Sequence, residues 1–326
     1  MSLQSTLFSG CSPSGTLTLG NYIGAVKQWV QCQDDYDGIY CVVDMHAITV
    51  KQDPYLLRQR VWDFYALYLA CGLTPDKSTI FIQSHNPHHS ELTWVLSCLT
   101  MFGEMSRMTQ FKSKSRKHES TVGLFTYPIL MATDILLYQT SLVPVGKDQV
   151  QHLEITRDLA ERFNNRYGSI FTMPEAYLPT EGAKVMDLQD PGKKMDKSSP
   201  NPKSYITLLD TPDEVRAKIS KAITDSQGRF DTGEELSGIN NLVTIYCSLT
   251  GEDRSFVINQ FEPQGYKVFK DSLVDVILAH LVPIQERYHH YKEDHSYLEQ
   301  LAKEGCEKAM GKSKVTLDKV KEAVGF

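Results

Sequence analysis

Short apolar runs alternate with helical patterns through the first half of the chain, and this alternation restricts the fold more than any other feature. Thr6–Gly10, Ile39–Asp44, Thr79–Gln83 and Leu142–Val145 are the strand candidates. Leu19–Gln33 reads as a helix. Asp53-Pro54 is a helix start, an N-cap followed by proline at the first helical position. Leu57, Val61, Phe64/Tyr65 and Tyr68/Leu69 then keep one apolar face until Gly72 closes the helix. A further helix begins near Ser90, and another follows the fourth strand to about Tyr167 and ends at Gly168. Strands this continuously apolar are covered on both faces, so the spacing predicts an α/β fold with a doubly wound, Rossmann-like parallel sheet. Such sheets bind ligands at the carboxyl ends of their strands.

The pattern changes after about Tyr205. Thr211-Pro212-Asp213-Glu214 forms a capping box with proline at N1, and Val215, Ile219 and Ile223 continue at helical spacing. Leu242–Leu249, Leu273–Ile284 and the stretch from Tyr297 onward are amphipathic. The expected organisation is a nucleotide-binding part over 1–205, a small all-helical domain over 206–290, and C-terminal helices over 291–326 that pack back on the first part. The 326 residues allow a large core. No basic leader and no run of roughly 18 apolar residues is present, so neither a secretory signal nor a membrane span is expected. Seven scattered cysteines without a C-x-x-C pair point to reduced thiols in a cytoplasm and to no protein-bound metal. His289-His290 is adjacent rather than on one helix face and is not read as a metal pair. The net charge of −6 argues against indiscriminate binding of DNA, while leaving room for a local basic face that docks RNA.

Two loops carry the chemistry. Gly10-Cys11-Ser12-Pro13-Ser14-Gly15-Thr16-Leu17-Thr18-Leu19-Gly20-Asn21 leaves a strand and opens a helix, with small residues that let a backbone approach a phosphate. It is neither a Walker A loop nor a G-x-G-x-x-G fingerprint, and a plain strand-to-helix turn explains it as well. Gly192-Lys193-Lys194-Met195-Asp196-Lys197-Ser198-Ser199-Pro200 is a basic loop bracketed by glycine and proline, which a solvated surface loop also explains. A third feature is Asp134, a lone carboxylate in an apolar helix, which is costly to bury unless something pairs with it. Tyr127, Met131, Asp134 and Tyr138 share that helix's face. A flat ring can pack on Met131 while Asp134 accepts a donor from the ring's edge, although an Asp capping a neighbouring backbone fits the same pattern.

Taken together, the two loops resemble the paired signatures of class I aminoacyl-tRNA synthetases, here Thr18-Leu19-Gly20-Asn21 and Lys194-Met195-Asp196-Lys197-Ser198. Thr18 and Asn21 stand where the generic signature has histidines, and Asp196 where it usually has serine. Further stretches resemble the tryptophanyl branch. They include Gly20-Asn21-Tyr22-Ile23-Gly24-Ala25, Val43-Asp44-Met45-His46-Ala47-Ile48-Thr49 and Arg107-Met108-Thr109-Gln110-Phe111-Lys112. Thr126-Tyr127-Pro128, Asp134-Ile135-Leu136-Leu137-Tyr138, Val145-Gly146-Lys147-Asp148-Gln149 and Arg157-Asp158-Leu159-Ala160 continue the series in order.

The resemblance implies a class I synthetase core that activates L-tryptophan with Mg-ATP and transfers it to tRNA. It assigns ATP contacts to Ser12, Pro13, Ser14, Gly20, Asn21, Gly146, Lys147, Asp148, Val185, Lys194, Met195, Asp196, Lys197 and Ser198. Thr18, Asn21, Lys114, Lys194 and Lys197 are the implied catalytic groups, with Lys114 drawn from the basic cluster Lys112, Lys114, Arg116 and Lys117. Asp134 is implied to bind the indole nitrogen and Tyr127 with Gln149 the α-ammonium group. Phe8, Met131, Val143, Val145 and His46 line the ring. The helical domain is implied to read the anticodon, and a homodimer to form near Trp94–Met108, where the apolar residues could equally be core. A tyrosyl relative and a non-catalytic RNA-binding relative are the alternatives.

Overall fold

The computed structural model describes residues 5–109, 111, 120–146, 149–177, 184–197, 199–224, 228–230 and 238–326. Four of its five strands are those the apolar runs predict: β1 (Thr6–Cys11), β2 (Asp37–Val42), β3 (Ser78–Ile82) and β4 (Leu142–Pro144). The fifth, β5 (Glu175–Tyr177), has three residues and little burial, so no apolar run marks it. The pairings within the sheet are parallel, in the order β3-β2-β1-β4-β5. Phe8 lies opposite Ile39 and Gly10 opposite Cys41, while Cys41 lies opposite Phe81.

Strand alternation divides the apolar side chains between two faces. Leu7, Tyr40, Val42, Ile80 and Ile82 join one core cluster; Phe8, Ile39, Cys41 and Phe81 join the other. The first face is covered by helical run 19–32 (α1), α3 (Pro54–Ala70) and the helices beyond residue 205. Within α1 the turn Tyr22–Val26 is π-helical, next to the first signature loop, a place where such turns often mark function. The short helix Asp44–Ala47 (α2) follows β2. The second face carries α4 (His88–Ser97), α6 (Val122–Leu136) and α7 (Val150–Tyr167), with the short α5 (Phe102–Arg107) nearby.

Local signals act as the residue types require. Asp53 caps α3 by accepting from the Tyr55 and Leu56 amides, and Gly168 ends α7 at φ +105°. Thr211 and Glu214 form the reciprocal capping box of α8 (Pro212–Ser220). Ile223 does not continue that helix: α8 stops at Ser220, and Ile223 is 48% exposed with its backbone N–H donating to the Leu188 carbonyl. Three more helices follow: α9 (Gly238–Thr250), α10 (Arg254–Phe261) and α11 (Gly265–Glu293). The last of these runs on through Pro283 and is longer at both ends than the amphipathic stretch Leu273–Ile284. It binds α3 through Arg287 Nε to the Ala70 carbonyl (2.6 Å) and Tyr288 to Asp63 (2.8 Å).

The final helix, α12 (His295–Val324), crosses the edge of the sheet beside β3. Leu298, Leu301 and Ala302 join the first core cluster, whereas Cys306, Ala309, Leu317 and Val320 join the second. Gly305 is the crossing point, where a Cβ would stand 1.8 Å from the Ile80 carbonyl oxygen. Only glycine admits such a backbone approach. Gly305→Ala is expected to lower unfolding stability by about 2 kcal/mol, measured by urea titration, because α12 must lift off β3.

Candidate active site

Because β1 lies between β2 and β4, the carboxyl ends of β1 and β4 form the switch point of the sheet. At the end of β1 the Cys11 amide donates to the Tyr68 hydroxyl (2.8 Å), which itself donates to the Cys41 carbonyl (3.2 Å). The first loop is thereby anchored to α3. Thr18, fully buried, then caps α1. The Asn21 amide donates to Thr18 Oγ1 (3.2 Å), while the Thr18 amide and hydroxyl donate to Asn21 Oδ1 (3.1 and 2.9 Å). Thr18 and Asn21 thus form a closed capping box that holds the helix N-terminus in place. Ser12, Gly20 and Asn21 are half-buried, Pro13 is buried and Ser14 is exposed.

The second loop folds back on the first. Met195 donates its amide to the Val185 carbonyl (3.0 Å), and Asp187 its amide to the Lys193 carbonyl (2.8 Å). Met186 and Lys194 face each other in an antiparallel bridge. Val185 and Met195 are buried; Lys194 and Asp196 are exposed. Lys197 closes the connection: its Nζ donates to the Ser12 carbonyl (2.7 Å) and lies 4.9 Å from the centre of the Phe64 ring. Its stem passes so close to Gly15 that a Cβ there would meet Lys197 Cδ at 3.0 Å. Desolvation pulls the Lys197 ammonium below the usual lysine value, against the opposing charges of Cys11 and Asp196.

Asp134 is 2% exposed and lies on the second face, against residues that follow the carboxyl ends of β2 and β3. Its partners among the described residues are side chains, not the main chain. Oδ2 accepts from His46 Nε2 at 2.8 Å; Oδ1 accepts from Gln83 Nε2 and His89 Nδ1, both at 2.7 Å. Burial raises the Asp134 carboxyl, but the hydrogen bonds from His46 and His89 outweigh it and hold the group below the usual carboxylate range. Tyr127 meets His46 edge-on at 6.3 Å and shares a 3.0 Å hydrogen bond with His152 Nε2. Phe8 stacks on Tyr138 at 5.7 Å. Val143 and Val145 are buried, and Met131 and Gln149 are half-buried.

A buried carboxylate held by side-chain donors thus stands beside apolar residues of the second core, and two loops with small and basic residues meet at the end of β1. The family model for class I tRNA synthetases (W and Y) matches residues 3–299. The chain belongs to the class I tRNA synthetases for tryptophan and tyrosine. A curated relative from Clostridium perfringens, a tryptophan–tRNA ligase, is 50% identical over 98% of this chain and 97% of its own length. The crystal structure of tryptophanyl-tRNA synthetase from Mycoplasma pneumoniae superposes with a TM-score of 0.92 at 33% identity, covering 99% of this chain and 98% of that one. The Campylobacter jejuni enzyme, solved with ADP and tryptophan, gives 0.85 at 34% identity over 98% of this chain and all of that one.

In this class I synthetase the structure brings some of the residues singled out from sequence together, in two groups. One joins Ser12 to Lys197, Thr18 to Asn21, and Val185 to Met195. The other gathers His46, Tyr127 and Asp134. Gly146 is exposed just past β4. Lys114, Lys147, Asp148 and Ser198 lie outside the described residues, as do Lys112, Arg116 and Lys117. Sequence reading missed Gln83, His89 and His152, all buried. A signal was present: Gln83, Asn86 and His89 form a polar cluster directly after β3, where a ligand-facing end was already expected.

Proposed function

We propose that this chain activates L-tryptophan with ATP and transfers it to tRNA. The carrying observation is the buried Asp134, held below the usual carboxylate range, whose Oδ2 meets the half-buried His46. Indole has one N–H donor and no acceptor, so a fixed carboxylate orients tryptophan and leaves phenylalanine without a partner. The full-length likeness to tryptophan–tRNA ligases supports tryptophan over tyrosine. Phe8, Met131, Val143 and Val145 wall the ring, and Tyr127 with Gln149 holds the α-ammonium group.

ATP enters as its magnesium complex, with the metal as part of the substrate. The tryptophan carboxylate attacks the α-phosphate, giving tryptophanyl-adenylate and pyrophosphate. No side chain acts as nucleophile, so the protein supplies position and positive charge. The capping box of Thr18 and Asn21 fixes the helix N-terminus toward the triphosphate, and Lys194 and Lys197 follow the charge as it develops. Lys114, Lys147, Asp148 and Ser198 join the ATP contacts. A ribose hydroxyl at the tRNA 3′ end then takes the aminoacyl group, and the helices over 206–290 read the anticodon. The setting is the cytoplasm. Tryptophan-dependent exchange of labelled pyrophosphate into ATP tests the first step. Exchange with tyrosine instead would assign the chain to the tyrosyl side of the family, and none with either would leave an RNA-binding relative.

The pairing of two chains is part of this reading. Within Trp94–Met108, Val95, Leu96, Leu99, Met105 and Met108 are core, whereas Trp94, Met101 and Phe102 are 67%, 56% and 76% exposed. Those three form the apolar face of a homodimer contact. Phe102→Glu is expected to shift the protein from dimer to monomer in sedimentation equilibrium; an unchanged mass would remove this face from the contact.

A further inference from the structure

The two oxygens of Asp134 are in different situations. Oδ1 is held by Gln83 and His89, both fully buried and drawn from β3's exit and α4. Oδ2 has His46, whose side chain is 14% exposed. The polar chain does not stop at His89. His89 Nε2 is 2.8 Å from the Tyr138 hydroxyl, which accepts from Asn86 Nδ2 at 3.0 Å. The second proton of that amide goes to Ser313 Oγ in α12 (3.1 Å), and Ser313 donates to the Met310 carbonyl (3.2 Å). His88 Nδ1 completes the shell of Ser313 at 2.8 Å.

The protons in this chain can be placed one by one. A carboxylate only accepts, so His89 carries a proton on Nδ1. With Asn86 donating to the Tyr138 oxygen, the phenol proton is directed at His89 Nε2. Every donor and acceptor along Asp134–His89–Tyr138–Asn86–Ser313 then has a partner, with two donors on Asp134 Oδ1 and two on Ser313 Oγ, as a buried polar network requires.

We propose that His89 is a positioning residue for amino-acid recognition: with Gln83 it pins Oδ1 of Asp134, and thereby makes Oδ2 the oxygen that reads the indole N–H beside His46. The support for His89 comes from Ser313, so the helix most distant in sequence steadies the selectivity of the pocket. This rests on the tryptophan reading of Asp134. It adds that selectivity depends on a donor at the place of His89 Nδ1, although His89 itself does not touch the amino acid.

The test compares tryptophan with the analogue in which benzothiophene replaces indole, which keeps the shape and lacks the N–H. His89→Ala is expected to raise KM for tryptophan by about ten- to thirty-fold in pyrophosphate exchange, with kcat and the analogue's KM changed by less than about threefold. His89→Asn places an amide nitrogen near the lost Nδ1 and is expected to recover most of the affinity. His89→Gln places it near Nε2 and is expected not to. Equal effects on tryptophan and analogue, or equal behaviour of the Asn and Gln variants, overturns the proposal. The Asn–Gln pair decides even where the alanine variant does not fold. Asp134→Asn separates the two levels. If it keeps the discrimination, the reading of Asp134 falls. If it loses the discrimination while all three His89 variants retain it, only the role of His89 falls.

Discussion

Asp134→Asn is expected to lower kcat/KM for tryptophan by about 10²–10³-fold, while activity toward the benzothiophene analogue changes little. The asymmetry follows from the donors around the carboxyl group. An asparagine has one acceptor and one donor where aspartate has two acceptors. Its carbonyl must take the Oδ1 place, since the alternative sets an N–H₂ against the donors of Gln83 and His89. The amide nitrogen then occupies the Oδ2 place and meets an indole N–H donor to donor, whereas His46 can answer it by presenting Nε2 as an acceptor. Pyrophosphate exchange with each amino acid checks this, and a uniform loss on both would assign Asp134 a structural role. A linked pH effect has a definite sign. Since the folded carboxyl lies below its usual value, its contribution to stability is present above the unfolded value and is lost as pH falls through the folded one. Acid unfolding of Asp134→Asn should therefore begin at the same or lower pH than that of the parent, relative to their stabilities at neutrality.

Lys197→Ala is the other large expected effect, a drop of about 10²–10³-fold in kcat for adenylate formation with KM for tryptophan nearly unchanged. In the structure Lys197 Nζ is held by a main-chain carbonyl and an aromatic face, with no anion bound to it by hydrogen bond or ion pair among the described residues. Desolvation already disfavours its charge. A phosphate at the Ser12 loop relieves that penalty, and does so most when charge is greatest, at the transition state. Single-turnover adenylate formation reads the effect directly. Loss confined to KM for ATP, with kcat preserved, would instead make Lys197 a ground-state binding group. Gly15 bears on the same contact, since a Cβ there would press on the lysine stem and require it to shift.

Much of this architecture is legible in the sequence because its signals are local. Asp53 before Pro54, the Thr211–Glu214 box and Gly168 each mark a helix end through contacts within a few residues. The four apolar strands declare themselves by composition. β5 does not, because its three residues, two of them exposed, gain their strand character only from the Leu142–Pro144 neighbour. Ile223 misled because helical spacing outlasts the helix, whose end is set by tertiary contact with Leu188. The prolines at 128 and 283 sit inside helices that packing carries past them. At the site, Asp134 stands out as an acid among apolar neighbours. Gln83 and His89 do not, since they lie 51 and 45 residues away and become its partners only when the end of β3 and α4 meet α6.

The crossing of α12 at Gly305 has a consequence for solubility. β3 ends the sheet on one side, and a bare terminal strand offers its unpaired amides and carbonyls as a template for other chains. The helix crosses that rim at Gly305 and covers it there, whereas β5 at the opposite rim is only three residues long. A chain deprived of α12 should therefore lose more than activity: it should self-associate through β3, turning a folding defect into fibrillar or amorphous precipitate.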